Sequence, residues 1–343
     1  MNRSKMANST SGQLFYQCLI LLCLILWPHD LSAGSKPFEL TVEFDVWEAQ
    51  WRADSDKTIK DQNYEIEPTR LKGFTVTGTT EGRSGIAVSF LTDQIEDNTD
   101  AENAHSESSQ IITGYLHKNL SAGTQFYTRL LYGYFNGRLT KSNISEIQSV
   151  PGIGESDISQ IMNFTTKWYT LDMLYATNSG FWVAGGLRLS RYEKPLETEI
   201  ETIDVDGNVT GTHMETFYAQ LTSAQFLFKI MDGTHFGDYD KAKWYFIDTG
   251  VAVGFTLLKA LDIDMEVDSE LRLQFDFDLE TGLQYAKKFR YGGMAIRCGF
   301  RGMYFGLIGR SSEHSQNNNQ EDKGIFEHTD MFYGPYASVA ISF

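Results

Sequence analysis

The sequence predicts an all-β fold: a transmembrane antiparallel up-and-down β-barrel of about twelve strands, roughly ten to fourteen, following an N-terminal signal peptide. Three observations predict it. Residues 34–343 divide into long segments in which apolar and polar residues alternate. Short turns and long polar loops join those segments by turns. Beyond the leader, no apolar run is long enough to cross a membrane as a helix. A sheet that crosses lipid must close on itself, because open edges leave backbone N–H and C=O groups without partners. Soluble sandwiches alternate as well, but their strands average about five or six residues, and several segments here run far longer.

The leader comes first. Arg3 and Lys5 precede the apolar run Cys18–Trp27, which Pro28 breaks, and Leu31-Ser32-Ala33 places small or apolar residues where a signal peptidase reads. Such a run spans only about 15 Å as a helix, half a bilayer core, so it reads as a secretory signal and not an anchor. Cys23 follows Leu22 where a lipoprotein start needs a small residue. The expected division is therefore 1–33 signal peptide and 34–343 barrel. Cys18 and Cys23 leave with the leader. Cys298 is then alone, which excludes an intramolecular disulfide and a cysteine-based metal site.

A formal net charge of −16 makes nucleic acid, or an anionic inner-leaflet surface, a poor partner. Aromatic residues make up 13% of the chain, with Tyr and Phe dominant, as an aromatic-girdled barrel requires.

Phe38 to Ala53 is the first strand. Leu40, Val42, Phe44 and Val46 are expected to face lipid, with Glu39, Thr41, Glu43 and Asp45 in the lumen and Trp47 and Trp51 in an interfacial belt. Tyr64 to Thr79 returns, and Gly85 to Thr92 rises again. Asp93 to Ser109 is a long loop with six acidic residues and no Lys or Arg. Ile111 to Lys118 returns. Thr124 to Leu139 follows, with Phe126, Leu130, Tyr132 and Tyr134 opposite Arg129. After the loop from Lys141 to Asp157, Ile158 to Ala176 descends and Phe181 to Glu193 climbs. Glu197 to Val205 alternates too, and Asp206-Gly207 signals a tight turn, so Pro195 to Thr212 reads as a hairpin above the membrane. His213 to Ile230 and Lys243 to Leu258 come next. The clearest strand carries Leu271, Leu273, Phe275, Phe277, Leu279, Leu283 and Tyr285 outward against Glu270, Arg272, Gln274, Asp276, Asp278, Glu280 and Gln284 inward. Tyr291 to Arg310 sets Met294, Ile296, Cys298 and Phe300 against Arg297 and Arg301, and Ser311 to Thr329 is a further polar loop.

The last stretch, Met331 to Phe343, places Met331, Tyr333, Pro335, Ala337, Val339, Ile341 and Phe343 on one face and stops on an aromatic residue. It resembles the final strand of Gram-negative outer-membrane β-barrel proteins. That resemblance implies export through the periplasm to the outer membrane, contact with its lipid and lipopolysaccharide, and a monomer. It also implies that the barrel assembly machinery reads Tyr333, Val339, Ile341 and Phe343. With both termini on the periplasmic side, the acidic loops fall outside. The resemblance is to an architecture and no specific family is recognised; architecture alone confers no function.

The lumen carries both signs of charge: Glu43, Asp45, Asp172, Asp248, Glu270, Asp276, Asp278 and Glu280 against Arg129, Arg188, Arg272, Arg297 and Arg301. One reading is a salt-bridge ladder filling the interior; the sharper one is a solute path whose charges select what passes. Arg297 and Arg301 follow the Glu270–Glu280 strand, so pairing across that hairpin is expected. The function expected is a narrow, porin-like passive channel or a structural barrel, with no cofactor and no metal. A surface adhesin using the acidic loops is the alternative, those loops also being able to bind divalent cations that bridge to lipopolysaccharide phosphates. A lipid or peptide hydrolase is a third class, with His213 near Asp204 and Asp206, and His105, His314 and His328 in or beside outer loops. The chain has no Gly-x-Ser-x-Gly, no His-Glu-x-x-His and no phosphate-cradling loop. Asp204-Val-Asp206-Gly207-Asn208 resembles part of a calcium loop but lacks its downstream Glu, and reads as a turn.

Overall fold

The computed structural model describes residues 38–55, 64–80, 84–93, 105–121, 123–141, 157–178, 182–203, 209–231, 243–262, 268–289, 292–308 and 326–343. They form β1 (Phe38–Ser55), β2 (Tyr64–Thr80), β3 (Gly85–Thr92), β4 (His105–Ser121), β5 (Thr124–Lys141), β6 (Asp157–Asn178), β7 (Trp182–Ile203), β8 (Val209–Met231), β9 (Lys243–Asp262), β10 (Asp268–Phe289), β11 (Gly292–Ile308) and β12 (Phe326–Ser342). Each strand pairs antiparallel with its chain neighbours, and β1 pairs with β12 to close the barrel. The seam runs from Thr41↔Ser342 to Ser55↔His328, and the Phe343 N–H donates to the Leu40 carbonyl at 2.9 Å.

Alternation built these strands as expected. The outward positions stay largely apolar around the barrel, with Phe226 79% and Leu271 65% exposed, while the inward positions between them are buried or half-buried. On β12 the outward face is apolar from Tyr333 to Phe343. At ~3.3 Å per residue and a tilt near 40°, that is roughly 28 Å of height, close to the apolar band of about 25 Å such barrels carry. In water so continuous an apolar surface would drive association; in lipid it is solvated. This is the architecture of a transmembrane β-barrel.

Several strands run longer than the sequence pattern indicated. β7 and β8 continue through the segment read as a hairpin, which pairs as expected but as an unbroken extension of both strands, from Trp182↔Met231 to Ile203↔Val209. β4 begins at His105 and β12 at Phe326, inside stretches read as loops. Two irregularities trace to proline, which has no N–H to donate. The β1–β2 register slips between Ala49 and Trp51, opposite Pro68. The β1–β12 ladder skips from Trp47↔Tyr336 to Gln50↔Tyr333 around Pro335, and the Trp47 indole N–H there donates to the Gly334 carbonyl at 3.2 Å.

Trp47 and Trp51 correct the belt expectation. Both are on the inward parity of β1, at 1% and 2% exposure, and belong to the interior. Twelve strands spaced ~4.8 Å and tilted ~40° enclose a backbone cylinder roughly 24 Å across, and large side chains from opposite walls can meet on its axis. The lumen is therefore where the core sits. The leader, the acidic loop residues 94–104, the turn 204–208, Gly152 and His314 lie outside the described residues, as do the side chains of His105, His213, Glu270 and His328.

Candidate functional site

The lumen is built in two layers. The lower one is charged, and strand register sets it. On adjacent strands β5, β6 and β7 the inward residues Arg129↔Asp172↔Arg188 form a row. On β8, β9 and β10 the row is Lys229↔Gly250↔Asp278. Asp172 accepts from Arg129 Nε and Arg188 Nε, each at 2.8 Å. Asp278 reaches between the rows, accepting from Arg188 Nη2 at 2.6 Å and Arg129 Nη2 at 2.9 Å, with Lys229 Nζ at 3.5 Å. The glycine makes this meeting possible, since a Cβ on Gly250 would stand 2.7 Å from Lys229 Cε. Asp276 lies beside the cluster, accepting from Gln274 Nε2 at 2.7 Å with Arg188 Nη1 at 3.7 Å.

A second group lies between β10, β11 and β1. Arg301 donates to Asp45 at 2.8 Å and lies 3.4 Å from its cross-strand partner Glu280. Its guanidinium sits 4.4 Å from the centroid of Tyr336 and 5.6 Å from that of Trp47. Arg297 donates to its cross-strand partner Gln284 at 2.7 Å and lies 3.6 Å from Glu43, which accepts from Ser338 at 2.5 Å. The expected pairing across the β10–β11 hairpin thus joins Arg301 to the carboxylate of Glu280; Arg297 also reaches across it, but to the neutral Gln284, and its carboxylate neighbour is Glu43 of β1. Asp248 is buried on the inward face of β9, and Arg272 is half-buried on β10.

Above lies an aromatic layer. Phe332 of β12 stacks on Trp51 of β1 at 5.4 Å between centroids and meets Phe135 of β5 at 4.7 Å and Trp168 of β6 at 4.8 Å. β6 and β12 are diametrically opposite strands, so these rings bridge the full lumen. Phe305 of β11 joins Trp168 at 5.9 Å and Tyr192 of β7 at 5.6 Å. Trp168 is 1% and Phe332 0% exposed, burial typical of a protein core. Within this layer Asp330 accepts from Trp51 Nε1 at 2.8 Å and from the Tyr192 hydroxyl, with Lys194 Nζ at 3.4 Å.

Between the layers, against the small inward residues Thr75, Thr77, Ala87, Ser89 and Thr113 of β2, β3 and β4, lies a cavity of about 120 Å³. Glu43, Asp45, Asp248, Asp278 and Glu280 face it with Arg129, Lys229, Arg297 and Arg301, five acids against four bases. Ligand pockets usually measure about 300–1,000 Å³. This space suits water and small ions. Among the described residues, no group of three His, Cys, Asp or Glu side chains is arranged to hold a metal.

Sequence reasoning missed Lys229, Lys194 and Asp330. Lys229 was legible, because Leu227 and Lys229 alternate against Phe226 and Phe228. Lys194 and Asp330 sit just beyond the strand ends at which the apolar alternation stops, Glu193 and Met331, and no local signal extends the strands over them.

No protein-family model matches the chain, and no curated protein matches it. Among solved structures it is similar to the Pseudomonas putida toluene transporter TodX, at 7% identity and a TM-score of 0.38, covering 94% of this chain and 93% of that one. A Pseudomonas aeruginosa FadL homologue matches at 9% identity and 0.38, over 90% of each chain. The outer-membrane protease OmpT from Escherichia coli matches at 6% identity and 0.26, over 92% of this chain and 99% of that one. Similarity this low carries neither solute nor chemistry over to the present barrel.

Proposed function

We propose that the chain is exported behind its leader, resides in a Gram-negative outer membrane, and works there as a narrow passive channel, described here in a closed state. The cavity beside the charged layer carries this reading. On the inner faces of β2, β3 and β4 the small Thr75, Thr77, Ala87, Ser89 and Thr113 stand among the larger Leu91, Ile111 and Tyr115, and they leave a space that a barrel built only to be filled would close. Hydroxyls on one side and ion pairs on the other give this crevice, scaled to water and small ions, a polar path beside apolar walls such as Leu91, Ile111 and Met303, and the slight excess of acids favours cations. Planar-bilayer recording of the refolded protein at several salt concentrations tests it. Discrete, weakly cation-selective steps are expected; a folded, heat-modifiable barrel that stays silent under all voltages would end the channel reading.

The aromatic layer favours a second reading, a permanently sealed structural barrel. Rings at 0–1% exposure spanning opposite walls are a core as well as a barrier. The same recordings separate the two, since a sealed barrel conducts in no variant that leaves the layer intact.

A further inference from the structure

We propose that Asp330 is the latch of a wetting gate: by holding Tyr192, Lys194 and Trp51 it fixes the aromatic layer across the lumen, and without its charge water enters that layer. The inference deepens the channel reading and rests on it.

Closure of the outer half depends on side chains that meet from facing walls. Phe332 is central, touching Trp51, Phe135, Trp168 and Phe305. Asp330 lies two residues before it on the same inward face of β12. Its Oδ1 takes the indole N–H of Trp51, the ring stacked on Phe332, and its Oδ2 takes the hydroxyl of Tyr192, the ring packed on Phe305. Lys194 of β7 supplies the countercharge, five strands from β12 around the barrel. A single carboxylate thus holds two rings of the layer and spans the lumen.

A layer meant only to seal has no need of these charges, because apolar residues of similar volume commonly replace a buried ion pair without loss of stability. Their presence has a physical consequence. An apolar constriction blocks ions for as long as it stays dry, and a carboxylate and ammonium inside it are the groups that gain most from hydration once they separate. Water is close at hand, since Trp47, Leu91, Ile111, Leu131 and Met303 line the cavity below and also belong to the apolar cluster above it. Whatever separates Asp330 from Lys194 therefore converts a dry layer into a wet one.

Bilayer recordings of the refolded protein test the latch, with heat-modifiable migration confirming the fold of each variant. Asp330→Asn is expected to raise the open fraction by on the order of tenfold with unchanged unit conductance. Tyr192→Phe, which removes one hydroxyl and leaves the packing, raises it by less and serves where Asp330→Asn does not fold. The double variant Lys194→Met with Asp330→Leu, which removes both charges, stays as closed as the parent. If Asp330→Asn and Tyr192→Phe open no more often than the parent while Phe332→Ala conducts, the latch is wrong and the channel stands. A double variant that opens as often as Asp330→Asn makes packing, not charge, the determinant and also overturns the latch. Silence of every variant, with Phe332→Ala and Trp168→Ala combined and the barrel folded, removes the channel reading and the gate with it.

Discussion

The indole of Trp168 lies against Gly133, its direct partner across the β5–β6 ladder, and fills the space a side chain there would need. A Cβ on Gly133 would overlap Cε2 and Cζ2 of the ring. Trp168 can therefore tilt from β6 toward the axis and stack on Phe135, at 5.5 Å between centroids, and Phe332 only because residue 133 has no side chain.

Gly133→Val is expected to lift Trp168 off β5 and disrupt the aromatic layer, at a cost in the range of about 1–3 kcal/mol typical of overpacking. Denaturant unfolding of the refolded barrel in lipid vesicles, followed by tryptophan fluorescence, reads it. An unchanged midpoint with unchanged emission would show that the ring is not held there.

The charged layer makes a sharper prediction. Arg188 is 1% exposed and touches three carboxylates, so Arg188→Met leaves Asp172 and Asp278 short of a buried counterion. A loss of about 3–5 kcal/mol is expected. Combining it with Asp172→Leu should be less damaging than Arg188→Met alone, since the stranded charge goes too. Equal or additive losses in a double-mutant cycle would argue against coupling through this pair.

Selectivity should follow the cavity lining. Arg297→Gln and Arg301→Gln each remove a positive group from a space that already has more acids than bases. The reversal potential in a salt gradient is expected to move toward stronger cation selectivity, more at low ionic strength, where screening is weak. No shift for either variant would place the conducting path elsewhere.

The closing seam separates folding from recognition. Val339 pairs with Phe44, Ile341 with Val42, and the Phe343 backbone with Leu40, while the Phe343 ring is 67% exposed toward lipid. Deleting residues 339–343 is expected to abolish refolding in vitro, because β1 loses those partners. Phe343→Ala keeps the backbone pairs, so it should refold in detergent yet assemble slowly in cells if the terminal ring is read by assembly machinery. Wild-type assembly of Phe343→Ala in cells would remove that role.

Much of the fold was legible because a pleated strand with lipid on one side imposes a period of two on its residues. Leu271 through Tyr285 on β10 show it most plainly, and the same parity placed Asp172, Arg188, Asp276 and Arg297 inside. The belt assignment of Trp47 and Trp51 failed because it followed residue type over parity; both occupy the odd, inward positions they share with Glu43 and Asp45. Strand ends were the least legible. Apolar alternation bounded by turn residues marks a strand only as far as the pattern runs unbroken, and Glu193-Lys194-Pro195 interrupts it where β7 in fact continues to Ile203.

By itself, then, the sequence determined that this chain forms an antiparallel barrel of about twelve strands, which faces of its clearest strands are apolar, and the inward parity of charges such as Asp172, Arg188 and Arg297, though not of Lys229, Lys194 or Asp330. These are local properties, written in the alternation of each strand. Only the tertiary structure decided how the interior is filled: that Asp278 of β10 is shared by Arg129, Arg188 and Lys229 from three other strands, that Phe332 meets Trp168 from the opposite wall, and that Asp330 joins Lys194, Tyr192 and Trp51. Those contacts join residues up to 279 positions apart. They depend on barrel closure, register and the diameter that closure sets, and no single strand carries that information.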